Sequence, residues 1–198
     1  MGKSSLLRQF SHKMFDDTLT STIGVDLESK KVNVFPNTSV ILQIWDTAGQ
    51  EAYYSITRNY YVNAAGAVIV FELGDRSSFL HAVQWINEIR TNNPECTLIL
   101  VGNKSDKDLS SVENRTLLSE VQAYSRKEDV VLMTTSAKKY DDCEKVFTVL
   151  ATALFQNNSP CSFVQLPTSR TITYSRQELT QFEDCISKQS RPKKKCCS

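Results

Sequence analysis

Four short strings in this chain combine residue types that can handle phosphates, a divalent cation and a purine. Gly2-Lys3-Ser4 precedes a run of helix formers. At a helix start, backbone N–H groups can cradle phosphate oxygens, a lysine can reach the outer phosphates and a serine hydroxyl can ligate Mg²⁺. Gly-Lys-Ser occurs by chance in many chains, so its weight comes from what accompanies it. Asp46-Thr47-Ala48-Gly49-Gln50-Glu51 follows a strand-like segment. There an aspartate can hold Mg²⁺ through water, a glycine lets the backbone approach a terminal phosphate, and a glutamine can orient an attacking water. Asn103-Lys104-Ser105-Asp106 follows an apolar run. The Asp106 carboxylate can accept two hydrogen bonds from the N1–H and 2-amino edge of guanine, an edge that adenine lacks. Ser136-Ala137-Lys138 follows the next apolar run and offers a backbone N–H to the guanine O6. The plain alternative at 103–106 is a surface turn.

These strings need elements that bring them together. Residues 4–10 place Leu6, Leu7 and Phe10 at helical spacing. Residues 25–35 and 39–46 alternate apolar and polar around Pro36-Asn37, as a β-hairpin does. Residues 65–72, 97–102 and 130–134 are continuous apolar runs, the pattern of strands buried on both faces. Helices are expected over 76–91, starting at Ser77-Ser78, over 116–126 and over 144–155. Alternating strands and helices imply an α/β fold, a mostly parallel sheet with one antiparallel hairpin at its edge and helices on both faces. Ligands in such sheets bind beyond the carboxyl ends of the strands, which is where the strings fall.

The chain has 198 residues, enough for one domain and a tail. With 23 basic and 22 acidic residues, it offers no bulk case for nucleic acid as a partner. The longest apolar run, Ala64 to Phe71, is far shorter than a membrane span. No N-terminal apolar stretch points to secretion, so Cys96, Cys143, Cys161 and Cys185 are expected as plain thiols. His12 and His81 are isolated and are read as neither ligands nor bases. Domain boundaries are expected at 1–156 and 157–198. The second segment is polar, aperiodic and flexible, with Lys188, Arg191, Lys193, Lys194 and Lys195 gathered before Cys196-Cys197-Ser198.

In this order and on these elements, the strings resemble the Ras superfamily of small GTPases over about residues 2–155. Within it they resemble the Rab family, through Ile23-Gly24-Val25-Asp26, Leu42-Gln43-Ile44-Trp45-Asp46-Thr47-Ala48, Ser55-Ile56-Thr57, Tyr60-Tyr61 and the double-cysteine end. The resemblance implies a GTP-binding, GTP-hydrolysing switch that regulates vesicle traffic. It implies that Gly2, Lys3 and Ser4 bind phosphate, with Lys3 on the β/γ oxygens. Ser4 and Thr22 would ligate Mg²⁺, Thr22 in the GTP state alone, and Asp46 would hold the ion through water. The Gly49 N–H would sense the γ-phosphate and Gln50 would position the hydrolytic water. Asn103 and Asp106 would select guanine, Lys104 and Lys138 would flank its ring, and Phe15 would stack on it. Ser136 and Ala137 complete the base site. Ile23 to Leu27, with Trp45 and Tyr60, would form the surface that effectors read. Core packing is the alternative role for Phe15 and for Tyr53, Tyr54, Tyr60 and Tyr61.

The implied partners are a guanine nucleotide exchange factor, a GTPase-activating protein, a GDP-dissociation inhibitor, prenylation enzymes and effectors, with the chain itself a monomer. No arginine stands in cis, so turnover is expected to be slow and to rise about 10³–10⁵-fold with a partner's arginine. Cys196 and Cys197 would each carry a prenyl group. Two such chains and the basic cluster would anchor the protein to the cytosolic face of an intracellular membrane. The tail would span about 35 Å as a random coil.

The sequence also departs from the family. A full phosphate loop has a glycine and four residues before Gly-Lys-Ser, and here Met1 is the last of those four. The family's first strand is missing with the rest. The expectation is a misassigned start or a short isoform. The alternative is a short product that binds nucleotide weakly, or a non-catalytic membrane-anchored binding module. Ala52-Tyr53-Tyr54 stands where the family has Arg-Phe-Arg, Leu27 where it has Phe, and Val62-Asn63 where it has Arg-Gly.

Overall fold

The computed structural model describes residues 1–18, 22, 24–47 and 60–158. Along them run α1 (Lys3–His12), β1 (Val25–Phe35), β2 (Thr38–Thr47), β3 (Gly66–Glu72), α2 (Arg76–Asn92), β4 (Thr97–Asn103), α3 (Val112–Lys127), β5 (Val131–Thr134) and α4 (Tyr140–Asn158). The architecture is the expected mixed α/β one: a parallel three-stranded sheet, an antiparallel hairpin and helices.

Alternation along the parallel strands builds two cores. Val70, Ile99 and Val101 join Leu6, Leu7 and Phe10 of α1 and Val146, Phe147 and Leu150 of α4. Phe10 stacks on Phe147 with ring centroids 4.2 Å apart. On the opposite face Ile69, Phe71 and Leu100 join Phe79, Ala82 and Ile86 of α2 and Leu117 and Val121 of α3. Neighbouring residues of one strand therefore enter different cores, which is why these strands read as unbroken apolar runs. The sheet order is β3-β4-β5. Glu72 pairs with Asn103 and Gly102 with Thr134, so the three carboxyl ends lie side by side. The loops that follow them gather at one edge of the molecule.

The hairpin pairs Val25 with Thr47 through Phe35 with Thr38, turning at Pro36 and Asn37. It forms its own two-stranded sheet. Side chains, not a hydrogen-bonded ladder, attach it to the rest: Val32, Val34, Val40, Leu42 and Ile44 pack into the core shared by α1 and α4. Lys30 of β1 adds a polar tie, donating from Nζ to the carbonyls of Phe10 and Ser11 at the C-terminal end of α1.

α2 starts at Arg76 as expected, whereas α3 and α4 start earlier than the apolar periodicity suggests. The expected Ser77-Ser78 cap of α2 is replaced by Asp75, whose Oδ1 accepts from the Ser77 and Ser78 N–H groups at 2.9 and 3.2 Å. Ser111 caps α3, which starts at Val112, four residues ahead of the expected Thr116 start, and accepts from the Asn114 N–H at 3.2 Å. The first turn of α4 lies before Glu144 and includes Cys143, which is wholly buried. Burial pushes the Cys96 thiol up to about 11, and burial together with Asp142 pushes Cys143 to about 12; both are free thiols. Among the described residues no helix is long and apolar enough to cross a membrane.

Gly102 marks the tightest packing in the sheet. A Cβ there would lie 2.6 Å from Leu73 Cδ2 and 3.1 Å from Phe71 Cζ, both on buried side chains. Gly102→Ala is therefore expected to destabilise the chain by about 1–3 kcal/mol through overpacking. A lower urea midpoint with an unchanged slope would register it.

Candidate functional site

The N-terminus of α1 meets the end of β2. Gly2 caps the helix in a left-handed conformation, φ +86°, and a Cβ there would sit 2.8 Å from Asn103 Nδ2. Position 2 thus needs glycine both for its backbone and for its space. At the second residue of the helix, Ser4 Oγ lies 2.6 Å from Thr22 Oγ1 and donates to Asp46 Oδ2 at 2.5 Å. Thr22 Oγ1 donates to the same carboxylate oxygen at 3.5 Å. Residues 18 and 42 positions from Ser4 in sequence thereby place three oxygens at one point. All three are hard oxygen donors, and one is anionic, which is the donor chemistry that Mg²⁺ takes. Ser4, Thr22 and Asp46 fit the ion, which would supply charge neutralisation for phosphate oxygens.

Lys3 sits beside this cluster. Burial pushes its amine below the ordinary 10.5, while the Asp46 carboxylate pulls it the other way. A half-buried ammonium at a helix N-terminus, where the macrodipole is positive, suits a multiply charged anion.

The second half of the site is built on Asn103, which is 1 % exposed. Its Nδ2 donates to the Met1 carbonyl at 3.0 Å, and its Oδ1 accepts from the Ala137 N–H at 3.0 Å and from Thr135 Oγ1 at 3.3 Å. Asp106 follows in a turn closed by the Lys107 N–H on the Lys104 carbonyl at 3.1 Å. Asp106 Oδ1 accepts from Ser136 Oγ at 2.7 Å, and its Oδ2 lies 3.1 Å from Lys138 Nζ. The Ser136 hydroxyl first, and Lys138 after it, hold this carboxyl below its ordinary range. Phe15 lies beyond the end of α1, 37 % exposed, with Lys138 Nζ 5.8 Å from its ring centroid. Phe15 is therefore no part of the core and stands beside Lys138.

The backbone N–H groups of the 136–138 loop are all engaged within the protein. Ser136 donates to Asp142 Oδ2 at 3.2 Å, Ala137 to Asn103 and Lys138 to Ser136 Oγ at 3.3 Å. A base oxygen at this loop must share one of them. Asp142 and Glu72 escaped the motif reading. Glu72 receives Lys104 Nζ and Lys107 Nζ at 2.6 Å each. Burial raises the Glu72 carboxyl, and the two lysine hydrogen bonds more than reverse this, leaving it below the usual range. A charged residue between Phe71 and Leu73, closing an apolar strand, was the one signal available for it.

A third group of residues lies on the hairpin's outer face. Leu27 and Trp45 are register partners, 44 % and 46 % exposed. Tyr60, half-buried, packs on Trp45 with ring centroids 4.9 Å apart. Val25 is half-buried and Asp26 exposed, its Oδ1 accepting the Leu27 N–H at 3.0 Å, after Gly24 in a left-handed conformation. Tyr61 points the other way, into the core, and donates to Glu88 at 2.8 Å. Ile23, Gly49, Gln50, Tyr53, Tyr54, Cys196 and Cys197 lie outside the described residues.

Compared with known families, residues 1–156 match the sequence model of the Ras family.

Lys3 carries a cost that an anion relieves, and this has a measurable sign. A lysine whose folded-state pKa is lowered binds fewer protons folded than unfolded between that value and 10.5, so stability rises with pH across this window. Lys3→Met is expected to raise the melting temperature of the nucleotide-free chain by about 2–4 °C near pH 7. The gap from the parent chain should narrow as the pH approaches 10.5. The same variant should lose the stabilisation that GDP confers on the parent in a thermal-shift titration.

Proposed function

This chain belongs to the Ras family of small GTPase switches, and from that premise we propose that it is a Rab-type member that directs vesicle traffic from the cytosolic face of an intracellular membrane. The observation that carries the Rab reading is the contact set Leu27, Trp45 and Tyr60. One hairpin register pair and one aromatic contact gather these on an exposed face next to the Asp46 end of the site. An effector docked there senses Thr22 and the chain after Thr47, because both adjoin the hairpin's end.

Family members bind guanine nucleotide and typically Mg²⁺, and work with regulators and effectors. In this chain Lys3 and the first turn of α1 bind the phosphates. Asn103 and Asp106 hold the purine, with Phe15 and Lys138 on its flank. Gln50 orients the hydrolytic water. No sequence motif places an arginine in cis against the developing charge, so an activating partner supplies one. Exchange factor, GDP-dissociation inhibitor and prenylation enzymes complete the set of partners. Cys196 and Cys197 carry the lipid, and residues 157–198 act as the tether between the 1–156 domain and the membrane.

Two measurements test the reading. In Mg²⁺ the 198-residue chain is expected to bind GDP and GTP but not ATP, and chelating the metal should speed GDP release. Binding of neither guanine nucleotide would move the chain to the class of membrane-anchored binding modules. Replacing Cys196 and Cys197 together by serine should shift the protein from the membrane to the soluble fraction of lysed cells. Each single replacement should leave weaker, salt-sensitive binding, since one lipid chain anchors only marginally.

A further inference from the structure

We propose that Glu72 is the positioning residue of the guanine-reading turn: it grips Lys104 and Lys107, the two ends of that turn, and so keeps both off the Asp106 carboxylate that faces the base. The inference rests on reading this site as a guanine site. Glu72 ends β3 and pairs in register with Asn103 at the end of β4, so the ladder sets it beside the turn. Its backbone is fixed on the other side by α2. The Glu72 N–H donates to Ser78 Oγ at 2.9 Å and the Asp75 N–H donates to the Glu72 carbonyl at 3.1 Å.

From that fixed base each carboxylate oxygen takes one lysine. Oε2 receives Lys104 Nζ and Oε1 receives Lys107 Nζ, both at 2.6 Å. Lys104 and Lys107 are the first and last residues of the turn, and Asp106 lies between them. The turn has reason to need holding, because Lys104 adopts a left-handed φ of +66°, which side chains with a Cβ disfavour. Its opposite side is held by the Ser105 N–H on the Thr135 carbonyl at 2.9 Å and by Ser136 on Asp106.

Charge gives the second part of the argument. Two ammonium groups flank Asp106, and Lys107 already feels its carboxylate. Without Glu72 the acids that still attract Lys107 are Asp106 and Asp75. Lys107 would then compete with the base for the carboxylate that reads N1–H and the 2-amino group. Glu72 thus acts through the turn and touches no nucleotide atom.

The test uses the full chain and its Glu72→Ala and Glu72→Gln variants. The readouts are binding of GDP and of inosine diphosphate, which lacks the 2-amino group, in Mg²⁺. The variants are expected to bind GDP more weakly by about three- to tenfold, what one or two half-exposed ion pairs support. Their affinity for inosine diphosphate should change less, so the preference for guanine falls. In the nucleotide-free chain, exchange of the Lys107 amide should speed up while that of Leu100 in β4 stays as it was. Unchanged GDP affinity, or equal losses for both nucleotides, would overturn the proposal while leaving the guanine site intact. Failure of the parent chain to bind GDP would overturn the guanine site and this role together. If Glu72→Ala does not fold, Glu72→Gln, which keeps the shape and removes the charge, decides the matter by the same readouts.

Discussion

One buried amide, that of Asn103, holds the two halves of the site in register. It is the last residue of β4, and its side chain reaches the Met1 carbonyl on one side and the 135–137 loop on the other. An unpaired polar group at such depth costs about 1–3 kcal/mol, so the start of α1 and the 135–137 loop cannot drift apart without that loss. Gly2 follows from the same contact, because any side chain there would collide with the amide. The spacing between Lys3 and Asp106 is therefore set through one side chain, that of Asn103.

Around this point the molecule divides into a rigid part and attached parts. The parallel sheet is packed on both faces, so its strand ends are fixed relative to one another. Among the described residues the hairpin has no ladder to that sheet and is held by apolar packing against α1 and α4 and by Lys30. Its contribution to the oxygen cluster, Asp46, comes from near the end of β2. The residues proposed to read the nucleotide state lie on this attached part, whereas those proposed to read the base lie on the parallel sheet. That division matches the chemistry, since a base reader must be preorganised and a switch must have two positions.

Electrostatics at the site follow from crowding. A buried lysine, a carboxylate shared by two hydroxyls and a carboxylate shared by a hydroxyl and a lysine lie along one edge. Each charged group is oriented by a neighbour from a different element, which limits side-chain freedom before any ligand arrives. Glu72 extends this logic one strand outward.

The sequence by itself determined the element types and the chemistry of the four motif strings. Continuous apolar runs encode strands buried on both faces, and alternation encodes the hairpin; these are periodic signals carried by local residues. Gly2-Lys3-Ser4, Asp46, Asn103 to Asp106 and Ser136 to Lys138 declare their partners by functional group alone. What the tertiary structure decided is who meets whom. The convergence of Ser4, Thr22 and Asp46, the ties of Asn103, the engagement of all three N–H groups at 136–138, and the grip of Glu72 on two lysines join positions far apart in the chain. Helix starts at Asp75 and Ser111 depended on a single side-chain cap, which outweighs the apolar period by satisfying otherwise unpaired N–H groups. The detachment of the hairpin from the parallel sheet was also legible only in space, since strand pairing is a long-range property that no local pattern records.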